Sequence, residues 1–588
     1  MHTPLDGKQD AYPTHYFIHE LWYYGRCLPA AANLPGSPLM PFLRLLVACC
    51  ITCVMPLQLS AEELALKLRY QQPVAKGADR FHRVVRDETW QSTQTAVIVC
   101  DMWDAHHCVN AVRRGAELAP RIDAFVSELR QRGAVVIHAP SDCMDHYAQH
   151  PARLRAQATK RVQSLPDHIE SWCDQIPSEE AAAYPVDQSA GGEDDDPEEH
   201  RLWAARLQAS GRNPKAPWRA QTSHIAIDAQ RDYVSDSGPE IWSILEDRAV
   251  SNVILVGVHT NMCVLGRPFG LRRLTLGGKH AVLARDLTDT MIDPRAWPYA
   301  NHFTGTDLIV SHIERYVCPT ITSDQVVGGQ EFRFSADDRV RLAMLIGEDE
   351  YHTENTLPAF AAKHLSQHFS VSTYYADESE PSKFVGIEQI AAADALLISV
   401  RRRALPECDL QVVRQFVRSG KPMLGIRTAS HAFALRNQPS PAGADQWPEF
   451  DAEVWGGNYR GHYSNNIPAA LADFTSSHPI AVAAGLTDDF KPGGSLYQTT
   501  PLLAGTDVLL LGSVPGEEPA QPLAWTFVRN DGGRSFYTSL GHVDDFAQSQ
   551  FEALLAAGIH WACGVPLPTL ADVQAQSARY HKGHGRQH

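Results

Sequence analysis

The chain has 588 residues, 44% of them hydrophobic and 20% charged, with 52 Lys+Arg against 68 Asp+Glu and a net charge of −16. That composition excludes a disordered, collagen-like or span-dominated chain, and its length accommodates about four domains of ordinary size or two large ones. The acidic balance argues against phosphate-driven binding, so no nucleic-acid partner is expected. Of the 12 cysteines, four (Cys27, Cys49, Cys50 and Cys53) precede residue 61, and no C-x-x-C pair occurs after it. A disulfide framework and a structural zinc site are therefore both unsupported.

From Met40 the chain reads MPFLRLLVACCITCVMPLQLSAEE. The apolar run over residues 42–55, interrupted by Arg44 and ending in Leu59-Ser60-Ala61, predicts a signal peptide within residues 1–61, too short to span a membrane. Residues 1–39 then form an over-extended start, with translation beginning at Met40. Leu46-Val47-Ala48-Cys49 also fits a lipoprotein-type cleavage box, which would put a lipid anchor on Cys49. A buried N-terminal helix is the competing reading. Export to a secreted or periplasmic location is the expectation.

From Thr95 short β-rich runs alternate with helical stretches. Residues 96–100 (AVIVC) read as a buried strand; Leu118, Ile122, Phe125, Val126 and Leu129 share one helical face that stops at Gly133; strands follow at 135–139, 253–257 and 281–284. Residues 191–200 (GGEDDDPEEH) read as a solvated acidic insertion. A second series places strands at 342–346, 369–374, 395–399, 422–426, 508–512 and 535–539, with a helix at 410–418 stopped by Gly420. The prediction is an α/β fold of two three-layer α/β/α domains with mainly parallel sheets, residues 62–320 and 339–566. A polar linker, 321–338, joins them, and a polar tail, 567–588, reads as a frayed end.

The sharpest local signal is Gly257-Val258-His259-Thr260-Asn261-Met262-Cys263-Val264. A buried strand ends at Gly257, and Cys263 follows a tight turn where a helix should begin. Helix N-termini present free N–H groups and a positive dipole end, so a lowered thiol pKa and a ready oxyanion site are expected there. Asp101 stands at the carboxyl end of another strand, the edge where open α/β sheets place their sites. A plain core cysteine is the alternative.

These residues resemble the isochorismatase-like cysteine hydrolases over roughly residues 90–320, through AVIVCDMWDAHH, ILVGVHTNMCVLGRPFGLRRL and GGKHAVLARDLTDTM. The resemblance implies an Asp–Lys–Cys triad and a thioester intermediate, with Asp101 as base, Cys263 as nucleophile, and a cis peptide at Val258-His259. His259, Asn261 and Met262 would form the turn around the oxyanion. The lysine has no counterpart at the expected place: Lys215 comes too early and Lys279 lies at the wrong end of its strand. Arg231, Arg267 or His259 would supply its positive charge, although arginine cannot relay a proton. Asp104, His106 and His107 resemble the metal-binding residues of nicotinamidases; that reading ranks second, and neither a metal nor a cofactor is expected.

The later residues, roughly 338–565, resemble the ThuA-like (trehalose utilisation) proteins, relatives of class I glutamine amidotransferases. The segments that carry this are LIGEDEYHTENTLPAF, LGIRTASHAF, HPIAVAAGL, SFYTSLGHVDDF and GIHWACG. Arg427 occupies the elbow where amidotransferases hold a nucleophilic cysteine, which excludes glutamine-derived ammonia release. Glu348 and His352, Arg427 and His431, Tyr497, and His542 with Asp544 form the candidate site, suited to sugar hydroxyls or a carbonyl. Helix capping and loop bonding are the alternative role for each histidine taken singly.

The combined expectation is an exported cysteine hydrolase acting on an amide or related C–N bond, joined to a carbohydrate-recognising ThuA-like domain. Its partners would be a small-molecule amide, a carbohydrate or both, with oligomeric state left open. The alternatives are a non-catalytic binding or scaffold protein, and sugar metabolism in the ThuA-like domain only.

Overall fold

The computed structural model describes residues 62–465, 467–474 and 477–584, all within one compact unit, residues 59–588. The predicted leader and Cys49 lie outside the described residues. Two eight-stranded sheets organise two α/β domains.

The front domain opens with a long hairpin that the sequence reading did not foresee, β1 (Glu63–Pro73) and β2 (Phe81–Gln91), paired antiparallel from Glu63–Gln91 to Pro73–Phe81. Then follow β3 (Thr95–Cys100), α1 (Val109–Gln131), β4 (Val135–Ala139), α2 (Pro151–Ala158), α3 (Pro197–Ala209), β5 (Tyr233–Val234), α4 (Gly238–Asp247), β6 (Asn252–Val258), α5 (Leu271–Leu276), β7 (His280–Asp289), α6 (His302–Tyr316), β8 (Thr320–Ile321) and α7 (Asp324–Val327). The order across the sheet is β2-β1-β8-β7-β6-β3-β4-β5, with every pair from β8 to β5 parallel. Alternate residues of the central strands feed two cores. Ala96, Ile98 and Cys100 of β3 face one and Val97 and Val99 the other; β6 divides Val253 and Leu255 from Ile254 and Val256 in the same way. Strands buried on both faces read as continuous apolar runs, which is why 96–100 and 253–257 were legible.

The rear domain contains β9 (Val340–Gly347), α8 (Thr353–His364), β10 (Phe369–Tyr375), β11 (Ala395–Val400), α9 (Glu407–Arg418), β13 (Met423–Ile426), β16 (Ala470–Phe474), α10 (Pro479–Ala484), β18 (Thr506–Ser513), β19 (Gln521–Val528), β20 (Arg534–Thr538) and α11 (Ser549–Cys563). Two small ribbons pair β12 (Leu405–Pro406) with β14 (Ala444–Asp445) and β15 (Gly461–His462) with β17 (Tyr497–Gln498). The main sheet runs β10-β9-β11-β13-β20-β19-β18-β16, parallel as far as β20 and antiparallel beyond it.

Two peripheral segments differ from the sequence reading. The stretch expected to be a linker is packed onto the front domain. Ile321 lies in β8, the Asp286 carboxylate accepts the N–H groups of Ser323 and Phe332, and Phe334 stacks on Phe303 at 5.4 Å. The tail is a helix, α12 (Leu570–His584), rather than a frayed end. Val573 is fully buried and the Tyr580 ring lies 4.8 Å from Trp297, so the tail reaches back to the front domain. Its apolar positions are few, which hid them in a polar sequence.

Candidate functional site

In the front sheet Cys100 of β3 stands opposite Gly257 of β6, so Asp101 and the turn after β6 emerge side by side at the carboxyl edge. Gly257 has φ +108°, and a Cβ there would stand 2.0 Å from the Cys100 carbonyl oxygen; only glycine fits. The Val258–His259 peptide is cis, as the resemblance implied. The next residues, Thr260–Val264, form a wide helical turn rather than the start of a long helix. Its side chains brace it. The Thr260 hydroxyl bonds the Thr288 hydroxyl at 2.7 Å, and the Asn261 amide exchanges two hydrogen bonds with the Met291 backbone, at 2.8 and 3.0 Å. Met262 packs against Cys108, Ala111 and Met291. Asn261 and Met262 thus shape the turn.

Asp101 is fully buried, with φ 48°, a backbone conformation that few non-glycine residues adopt outside special sites. One carboxylate oxygen accepts the Ser141 N–H at 2.8 Å, and the other accepts Arg267 Nε at 3.0 Å. The Cys263 thiol lies close enough to this carboxylate for each group to shift the other's pKa. Arg267 follows Cys263 by one helical turn, its N–H donating to the Cys263 carbonyl at 3.0 Å, and its guanidinium lies over the Trp172 ring at 5.7 Å. Burial raises the Asp101 pKa above the ordinary carboxylate value, opposed chiefly by Arg267. Burial also pushes the Cys263 thiol well up; the Asp101 charge adds to this, while Arg267 and a hydrogen bond from the His259 backbone oppose it. The resting group is therefore the thiol. This corrects the expectation of a dipole-stabilised thiolate: a five-residue turn carries little dipole, and desolvation beside a carboxylate outweighs it.

The remaining front-domain candidates sort by position. Arg231 is exposed and paired with Asp228 at 2.8 Å, so it does not join the site; Arg267 supplies the cation. His259 is buried, and burial pulls its pKa down to about 4, leaving it neutral. Its ring lies 4.8 Å from His106, which burial also holds neutral. Asp104 is taken by Arg212 at 2.8 Å and by the N–H groups of Arg219 and Ala220, while His107 pairs with Glu193 at 3.1 Å. These three do not converge as a ligand set. Among the described residues Cys108, Asp194 and Asp195 do converge. Their contacts are nevertheless structural: Asp195 accepts the Val109 and Asn110 N–H groups at the start of α1, and Asp194 pairs with Arg114 at 2.7 Å. Within the acidic insertion Asp194 and Asp195 thus act as a brace, while Asp196, Pro197 and Glu198 face solvent as expected. Sequence reasoning missed the Trp103–Trp218 stack at 4.5 Å and the Ser141 N–H. Trp103 lay within the quoted AVIVCDMWDAHH; Ser141 and Trp218 carried no signal.

In the rear domain β13 ends at Ile426 and the chain turns sharply at Arg427, with φ 45°. The Arg427 guanidinium is 2% exposed and lies 4.1 Å from the Tyr351 ring and 5.0 Å from Tyr497. Nη1 donates to the Ser539 carbonyl at 2.8 Å, whereas Nε and Nη2 have no hydrogen-bond partner among the described residues. Gly494 makes room for it: a Cβ there would stand 2.4 Å from Nη2. The His431 ring stacks on Tyr459 at 4.4 Å, its Nδ1 bonds Ser430 Oγ at 3.0 Å, and burial followed by Arg402 holds it neutral. Tyr497 lies 6.1 Å from His431, and His542 5.8 Å from Tyr351.

Arg427, His431, Tyr497 and His542 are therefore gathered, together with Tyr351 and Tyr459, which the sequence reading did not single out. Glu348 accepts the N–H groups of Glu350, Tyr351 and Thr353 and so folds the loop that carries Tyr351. His352 is exposed beside Glu354 at 3.4 Å and stands apart. Asp544 is exposed as well; the buried neighbour is Asp545, which accepts the N–H groups of Gly493, Gly541 and His542. Burial pushes Asp451 up to about 7, and it accepts the Tyr459 N–H at 2.7 Å.

Residues 343–562 match the family model described as ThuA, trehalose utilisation, and the rear domain is ThuA-like. No curated protein matches the chain. Similar solved structures include a protein described as ThuA-like from Bacteroides uniformis, 16% identical over 40% of this chain and 95% of that one, with a TM-score of 0.30. Another, from Parabacteroides merdae, is 15% identical over 40% and 95%, also with a TM-score of 0.30. A cysteine hydrolase from Pseudomonas syringae pv. phaseolicola is 15% identical over 42% and 95%, with a TM-score of 0.24.

Proposed function

We propose that the front domain hydrolyses an amide or related C–N bond through a thioester on Cys263, and that the rear domain recognises a carbohydrate, in an exported protein. The observation that carries the reading is the buried Asp101 carboxylate, paired with Arg267 at the carboxyl edge of the sheet where the turn bearing Cys263 emerges beside it. Asp101 takes the thiol proton as sulfur attacks the carbonyl carbon. Arg267 offsets the negative charge that develops on the sulfur as its proton leaves and before the C–S bond forms, which is the electrostatic part of what a lysine would do. The C–N bond breaks as Asp101 returns the proton to the leaving nitrogen. Water then attacks the thioester, releases the acid and restores the thiol. A carboxyl raised by burial is well suited to this proton exchange near neutral pH. Backbone N–H groups of the 260–264 turn would hold the oxyanion. The reading fails if Cys263→Ala leaves hydrolysis by the purified protein unchanged.

In the rear domain, buried Arg427 with two unpartnered nitrogens, walled by Tyr351, Tyr459 and Tyr497, suits stacking against a sugar ring and bonding its oxygens. Binding to a glycan panel, compared with Arg427→Ala and His431→Ala, tests it. A non-catalytic role for the front domain is the second reading, favoured by the neutral resting thiol and the missing lysine.

A further inference from the structure

A cavity of about 560 Å3 is lined by residues of both domains and by none of the candidate site residues named above. Its front-domain wall includes Arg69 of β1, Arg83 of β2 and Arg285 of β7; Tyr374 of β10 and Gln389 line the rear-domain side. Arg83 also lines a neighbouring cavity of about 420 Å3, with Arg315 of α6.

These four guanidinium groups gather around one buried carboxylate, Glu314. Arg69 pairs with it at 2.7 Å, and its remaining acceptor capacity is used by Gln71 at 2.9 Å and Thr320 at 2.6 Å. Arg83 has no ion pair and no side-chain hydrogen bond among the described residues, although its charge is felt by Glu314. Among the described residues the Arg285 side chain donates only to the Thr320 hydroxyl, at 3.3 Å. Arg315 is held by Gln71 at 2.9 Å and by the Phe81 ring at 4.4 Å, neither of them anionic.

The other carboxylates in the cavity wall have direct partners of their own, although Asp286 and Glu331 also act on Arg285 through space. Asp286 accepts the Ser323 and Phe332 N–H groups, Asp307 and Asp337 pair with Arg339 at 2.9 and 2.7 Å, and Glu331 stands 3.9 Å from Arg341. Burial and then the adjacent Arg69 draw the Arg285 pKa down to about 10 despite the opposing charges of Glu314, Glu331 and Asp286, the direction expected of a desolvated cation only partly compensated. Unneutralised guanidinium groups facing a shared cavity are costly unless an anion joins them, and guanidinium is well matched to planar and tetrahedral oxyanions.

We propose that this interdomain cavity is a binding site for a small organic anion carrying a phosphate or carboxylate group, held by Arg83 and Arg285 with Arg69 behind them. The ligand bridges the domains, because Tyr374 and Gln389 close the cavity from the rear side.

The test is calorimetric titration of the full chain with inorganic phosphate, pyrophosphate and citrate at constant ionic strength. Saturable binding of at least one probe is expected, and Arg83→Gln and Arg285→Gln should each weaken it by about tenfold or more, the effect of losing one charge-assisted hydrogen bond. Preference for the phosphates or for citrate identifies the oxyanion. Arg83 has no ion pair or side-chain hydrogen bond to lose among the described residues, so R83Q should fold and carries the test if R285Q does not fold. Exposed Arg231→Gln is the charge-matched control and should bind as the unmodified protein does. Absence of saturable binding for all three probes, or equal affinity in R83Q and R231Q, would overturn the proposal.

Discussion

Arg267 Nε lies 3.0 Å from the Asp101 carboxylate, one helical turn beyond Cys263, so one cation serves both the base and the nucleophile. Its effect on the thiol is opposite in sign to that of Asp101, and this separates the roles experimentally. Asp101 raises the Cys263 pKa and Arg267 lowers it. Iodoacetamide modification of Cys263 should be slow at neutral pH and still rising above the ordinary thiol value of about 8.5. At a fixed pH, Asp101→Asn should speed modification and Arg267→Gln should slow it. In contrast, D101N should lower hydrolysis by about 100-fold or more, because the base is gone. Modification rates read by peptide mass spectrometry decide this, and the same sign for both variants would refute the electrostatic account.

The helical tail gives a stability test. Val573 is fully buried, and α12 reaches the front domain through Tyr580 and Trp297. Val573→Asp places an unpaired carboxylate in the rear-domain core against which α12 packs and should cost several kcal/mol, seen as a lower denaturation midpoint. A frayed tail would show no change.

How far the sequence reveals these features depends on how many partners each needs. The central strands were legible because burial on both faces leaves continuous apolar runs such as 96–100 and 395–399. The β1–β2 hairpin was not: outward-facing Arg, Glu and Asp dilute its alternation, and it borders the rear domain as well as its own sheet. Asp101 and Cys263 were found because strand ends and local turns mark them. The choice between Arg231 and Arg267 depended on the path of the chain between them, as did the use of Asp545 rather than Asp544. Glu348 and His352 are neighbours in sequence, yet one is buried in a loop turn and the other faces solvent.

Acid stability should depend on Glu179. It is buried between Arg272 at 2.7 Å and His312 at 2.8 Å. Burial raises its pKa, but His312 and Arg272 more than offset this and bring it from 4.5 to about 2. A folded-state value below the unfolded one stabilises the fold above pH 4.5, and that contribution is lost as pH falls from 4.5 towards 2. Glu179→Gln should therefore be less stable at neutral pH and lose less on acidification than the unmodified protein. Parallel pH–stability curves for the two proteins would show that the depressed pKa is not present.

The rear site carries a pH prediction of its own. His431 is held neutral far below its ordinary range. Carbohydrate binding should therefore not change between about pH 8 and pH 5.5 through this residue, although a free histidine titrates near 6.5. Affinities from titration at the two ends of that range check it. A step near pH 6.5 that disappears in His431→Gln would contradict the assigned protonation state.

The most direct test of the central claim is ammonia release from a panel of small primary amides by the full chain, compared with Cys263→Ala, Asp101→Asn and Arg427→Ala. The account predicts turnover of at least one amide that is abolished by C263A, reduced by about 100-fold or more by D101N, and unaltered in rate by R427A. Turnover that survives C263A at the unmodified rate, or no release from any amide, would contradict it.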